Sequence, residues 1–170
     1  MDWSTSAAAR GRAGAYNAAA RYALYNVGDC GGCPSPDPAT PPACVMAAPG
    51  CSANNGWTQE DVWCVSWGLA PALPFPEIYL RDNRQARQWQ QISYYGQVVH
   101  GSRVYVSGVL TQKRACDETD PTKPLTERCS YRGTDNPPEQ GWTQLWQRLN
   151  ARDETRQSIR FLSDISWQNR

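Results

Sequence analysis

Lysine is almost missing from this chain. Of its 17 basic residues only Lys113 and Lys123 are lysines, and 16 acidic residues leave a formal charge of +1. No arginine cluster stands out either, so the arginine preference reads as genome composition. A balanced, unclustered surface argues against nucleic acid or an anionic membrane as the main partner, since either needs a concentrated basic patch. Histidine is also scarce. A Ser-His-Asp or Cys-His mechanism would rest entirely on His100, which sits beside Gly101 as a turn residue would, and no GxSxG elbow is present. Long apolar runs are missing too. The most apolar stretch, residues 62–73, is broken by Ser66, Gly68 and Pro71, well short of the roughly 18 residues that cross a bilayer. Nor does a leader precede the first helix, because Met1-Asp2-Trp3 runs straight into small residues. A soluble chain is expected.

Aromatics are abundant by contrast. Eight Trp and eight Tyr stand beside twelve Gln. Indole faces suit stacking and amides suit hydroxyls, a pairing that serves sugar binding, although the same rings also fill cores.

Cysteine sets the expected compartment. Cys30, Cys33, Cys44 and Cys51 fall in one segment rich in Pro, Gly and Ala, where neither a long helix nor a central strand can form. Cys116 and Cys129 flank a second polar loop. Crosslinks would order both, the second closure stabilising by roughly 3 kcal/mol. Zinc is the competitor, because Cys30-x-x-Cys33 is a metal-type knuckle. Cys44 and Cys51 are separated by six residues rather than two to four, and His100 is remote, so disulfides are favoured and no metal is expected. A redox CxxC would want a helix start that is not evident here. Cys64, within VWCVSW, reads as a buried free thiol. Six crosslinked cysteines imply a secreted or extracytoplasmic protein, which conflicts with the missing leader unless an upstream segment is lost.

Along the chain, residues 4–20 read as an alanine-rich helix and 22–27 as a strand. Residues 62–67 (VWCVSW) read as an apolar strand of the kind buried in a parallel sheet. Asp82 or Asn83 caps a helix over 83–95, with Ala86, Trp89 and Ile92 on one face. Residues 103–110 form the next strand. Asn136-Pro-Pro-Glu139 then opens a helix over 138–150, with Asn136 as cap and Trp142, Leu145, Trp146 and Leu149 as its apolar stripe. Residues 159–166 close as a strand. Helices alternating with strands signal a parallel α/β sheet. No glycine-rich phosphate loop follows the first strand, so no nucleotide cofactor, or cofactor of any kind, is expected.

The segments GWTQEDVWCVSWG, PALPFPEIY, ARQWQQISYYG, HGSRVYVSGVLTQ, GTDNPPEQGWTQLW and FLSDISW together span most of the chain. Their pattern resembles an actinobacterial-type family of secreted glycoside-hydrolase-like TIM-barrel proteins. The resemblance implies an α/β fold, a partial (β/α)8 barrel made of its last four to five strands. Residues 1–170 would be a single domain, the C-terminal portion of the barrel, with cysteine-rich loops at 28–56 and 115–137. It also implies an acidic residue immediately before Asp2-Trp3, at the end of the fourth strand. Met1 holds that place here. The expectation is therefore that the acid is lost and this form is inactive.

In such barrels chemistry lies where the strands end. Those ends give Asp2, Asp29, Trp67, Gln112 and Asp164, with Glu77 just beyond VWCVSW. Glycoside hydrolysis needs two carboxyl groups. Asp2 and Glu77 are the expected catalytic pair, Glu77 having apolar neighbours (Leu73, Phe75, Ile78, Tyr79) that would keep it protonated. Helix capping for Asp2 and an ordinary loop carboxylate for Glu77 compete with those roles. Trp67, Gln112, Asp29 and Asp164 are expected to bind substrate, with a salt bridge to a neighbouring Arg the alternative for Asp164. Three functions stay open: a glycoside hydrolase acting on extracellular or cell-wall polysaccharide, a non-catalytic glycan binder, and a non-functional fragment.

Overall fold

A computed structural model describes residues 6–19, 23–31, 33 and 56–168. Asp2, Cys44 and Cys51, and the expectations that rest on them, lie outside the described residues.

The elements follow in the order α1 (Ser6–Ala19), β1 (Leu24–Gly28), α2 (Gln59–Trp63), β2 (Ala72–Pro76), α3 (Arg84–His100), β3 (Gly108–Thr111), α4 (Lys113–Thr119), α5 (Cys129–Arg132), α6 (Pro138–Asn150) and β4 (Phe161–Asp164). β1 pairs with β2 in parallel, Leu24 opposite Ala72 through Gly28 opposite Pro76. β3 pairs with β4 in parallel, Gly108 opposite Phe161 through Thr111 opposite Asp164.

The expected partial barrel does not form. The described strands make two separate two-stranded sheets, linked by one bridge between Glu77 and Leu110. Proline explains the break. In a parallel strand alternate residues bond alternate neighbours. Glu77 N–H donates to the Gly28 carbonyl, so the odd residues of β2 serve β1. Pro74 accepts from Ser107 N–H, and Ile78 N–H donates to the Leu110 carbonyl, so the even residues serve β3. Pro74 and Pro76 have no N–H to give on that side. The ladder between β2 and β3 collapses to a single bridge.

Residues 62–67 are not a strand. Thr58 Oγ1 accepts from Asp61 N–H at 3.1 Å, and Asp61 Oδ2 accepts from Thr58 N–H at 2.9 Å. This capping box starts α2, which continues into a π-helical turn over Cys64–Gly68. Helical spacing then places Trp63 and Trp67 on one side, and both indoles donate to Ser102, at 3.2 Å to its carbonyl and 2.9 Å to its hydroxyl. The strand that pairs with β1 is instead ALPFP, ten residues downstream of Val62 at Ala72.

α3 starts where Asp82 Oδ1 accepts from Arg84 N–H at 2.9 Å. It runs to His100 and stops at Gly101, whose φ of 63° lies in the left-handed region that glycine adopts without strain. Its Ala86, Trp89 and Ile92 are buried as expected, against Leu145 and Leu149 of α6, Val104, Val109 and Ile78. Asn136 does not cap α6. Its amide donates to the Ile78 carbonyl and to Gln144 Oε1, tying the entry of α6 to the end of β2. Among the described residues, α3 and α6 therefore pack on one face of the strands.

Cys116 pairs with Cys129, and Cys30 with Cys33, at Cα separations of 5.7 and 5.3 Å. Cys64 is free. The stretch between Cys116 and Cys129 holds the end of α4 and two 3-10 turns, Asp120–Thr122 and Leu125–Glu127, rather than an open loop, and Asp120 Oδ1 accepts from Cys129 N–H at the start of α5.

Candidate active site

Parallel strands bring their C-terminal ends to one edge, and there the acids gather. Gly28 opposite Pro76 is the last registered pair of the first sheet, so Asp29 and Glu77 follow as neighbours on strands about 4.8 Å apart. Alternation of burial continues past both strands, which sets Val27 and Asp29, and Phe75, Glu77 and Tyr79, on the face opposite the described helices.

Glu77 sits at the junction of the two sheets. Burial pushes its carboxyl pKa up, a hydrogen bond from the Tyr79 phenol pulls it partly back, and the charge of Asp29 raises it again. The net direction is upward, as a proton donor requires. Tyr79 is held strongly protonated by its own burial first, and further by the charges of Glu77, Asp29 and Asp164.

Gln85, buried on the first turn of α3, fixes this corner. Its Oε1 accepts from the N–H groups of Tyr79 and Leu80 at 2.7 and 2.9 Å, while its Nε2 donates to Asp29 Oδ2 at 3.3 Å. One amide therefore sets the backbone after Glu77 and the direction of the Asp29 carboxylate.

The remaining expected residues are held by contacts of their own. Asp164 accepts from the Thr111 hydroxyl at 2.8 Å and from Arg114 N–H at 2.9 Å, so it caps α4 from the neighbouring strand rather than forming an arginine side-chain bridge. It remains close enough to influence Tyr79. Gln112 donates to the Thr134 carbonyl at 3.0 Å, a structural bond that secures the segment before α6. Trp67 does not wall this edge. Ser102 and Tyr105, its partners, precede the first residue of β3, which places the indole where the strands begin.

Gln85 escaped the sequence reading, and Tyr79 entered it only as an apolar neighbour of Glu77, not as its hydrogen-bond partner. Tyr79 could have been found from the spacing Phe75, Glu77, Tyr79, a period of two, had residues 72–76 been read as a strand. Nothing in the sequence marks Gln85 among twelve glutamines.

Comparison with family models, curated proteins and solved structures finds no match to this chain. Among the described residues no helix is long and apolar enough to cross a membrane, and no group of three or more His, Cys, Asp or Glu is arranged to hold a metal ion.

Proposed function

We propose that this chain is a secreted carbohydrate-active protein that cleaves glycosidic bonds in extracellular or cell-wall polysaccharide. The observation that carries the reading is Glu77: a half-buried carboxyl with a raised pKa, next to a second carboxyl, at the C-terminal edge of parallel strands. Its disulfides suit an oxidising compartment.

In this reading Asp29 takes the part expected of Asp2, which lies outside the described residues, and activity is proposed in place of the expected inactivity because Glu77 has a second carboxyl beside it on the neighbouring strand. Glu77 gives its proton to the glycosidic oxygen as that bond breaks, and the leaving sugar departs as an alcohol. Asp29 bonds to the anomeric carbon, forming a glycosyl ester. Water then attacks that carbon, Glu77 takes the proton of the water, and Asp29 leaves as a carboxylate. Their places on neighbouring strands support this two-step, retaining course, which works at a short carboxyl spacing.

The test is reducing-end release from chitin, β-glucans and peptidoglycan. Glu77→Gln should lower turnover at least about a hundredfold, the scale of general-acid catalysis. Equal turnover in the variant would remove Glu77 from the chemistry. Binding of these glycans without any cleavage would make the chain a binding module.

A further inference from the structure

The face of the strands that carries Glu77 and Asp29 also carries an apolar strip, one pleat back from the carboxyls. Register defines it. Val27 lies opposite Phe75, and the Glu77–Leu110 bridge sets Phe75 level with Gly108, which lies opposite Phe161. Tyr25 and Leu73 form the row behind. Tyr25, Val27 and Phe161 are 55%, 48% and 52% exposed, large values for such side chains on a parallel sheet. Parallel sheets are ordinarily covered on both faces.

Gly108 is the reason the strip is continuous. A Cβ there would stand 2.5 Å from Phe75 Cε2 and 2.9 Å from Phe161 Cβ. The missing side chain lets the Phe75 ring lie over β3 and reach toward Phe161. Tyr25 meets Phe75 edge to face, with centroids 6.3 Å apart. The result is an aromatic run across all four strands, with the two carboxyls along one side.

Size and chemistry select its occupant. Four strands about 4.8 Å apart and about five residues long span on the order of 300 Å², well below the roughly 800 Å² per partner of a standard protein interface. A protein partner would also strip water from Asp29 and Glu77, which lie on the same face, without promising them donors. A polysaccharide meets both demands: its C–H faces stack on aromatic rings and its hydroxyls donate to carboxyls.

We propose that Tyr25, Phe75 and Phe161 form the floor on which a polysaccharide chain lies as it reaches Glu77. This rests on the glycan reading above and supplies the stacking surface that Trp67 does not.

The experiment separates the two. Binding of soluble β-1,4-linked glucose and N-acetylglucosamine hexamers is measured by calorimetry on full chain carrying Glu77→Gln, so that ligand is not consumed. Tyr25→Ala and Phe161→Ala should each weaken binding roughly tenfold. Tyr25→Phe and Phe161→Trp should preserve it, and Leu125→Ala, an exposed apolar residue elsewhere, should leave it unchanged. Far-UV circular dichroism confirms that each variant folds. Unchanged binding in both alanine variants overturns the floor, as does failure of either hexamer to bind the parent. A loss of dimer in sedimentation with no effect on glycan assigns the face to a second copy of the chain, and also overturns it. If the alanine variants lose binding while Glu77→Gln leaves cleavage intact, the floor stands and the catalytic assignment falls.

Discussion

Glu77 is a residue whose cost and use have the same origin. Burial favours its protonated form, so ionising it works against the folded state. That penalty is absent below the ordinary glutamate value of 4.5, grows as the pH rises and is complete above the pKa of Glu77 itself. Glu77→Gln removes it. The variant should melt above the parent at pH 7–8, with the gap closing toward pH 4 in calorimetric scans; a gap independent of pH would mean that Glu77 does not titrate as described. The apolar neighbours that produce this behaviour, Phe75 and Ile78 among them, are plain in the sequence. Its fixing partners are not, because Tyr79 and Gln85 act through a turn whose path depends on where β2 ends.

At the scale of elements, local signals were legible where they agreed with one another. The buried face of α3 follows directly from helical spacing, whereas of the expected α6 stripe Leu145 and Leu149 are buried, Trp142 is partly buried and Trp146 is exposed. At residues 62–67 apolar, β-branched and aromatic residues pointed to a strand, and the structure shows instead a helix started by the Thr58–Asp61 capping box. The box prevailed because both indoles then reach Ser102. Gly96 is the tight point of that contact. A Cβ there would stand 2.4 Å from Trp63 Nε1 and 2.5 Å from the Ser102 carbonyl oxygen. Gly96→Ala should therefore cost about 1–3 kcal/mol by overpacking, despite the better helix propensity of alanine. Urea melts would show it, and a stabilised variant would contradict the packing. The Cys116–Cys129 link belongs to the same scale. Cys116→Ser with Cys129→Ser should lower stability by about 3 kcal/mol, measured by the same melts; no loss would show that Asp120 alone orders α4 and α5.

For the molecule as a whole, alternation of helices and strands correctly announced parallel pairing, and it could not announce how far the sheet would extend. Closure depends on each successive ladder, and Pro74 and Pro76 remove the donors of one. The prolines stood in the sequence, but their effect required knowing which side of β2 faces β3. The parallel register has a kinetic corollary. Leu24 waits for Ala72 and Gly108 for Phe161, partners about fifty residues apart, so neither ladder can begin until a long loop has closed. α3 and α6, whose bonds are local, can gain structure within microseconds. Stopped-flow refolding of the oxidised chain should show helical dichroism rising well before tryptophan fluorescence reports Trp63 and Trp67 seated on Ser102. Simultaneous signals would mean that helices and strands condense together. If the helices do come first, β1 and β2 find each other late, and Asp29 and Glu77 meet only once their strands have paired.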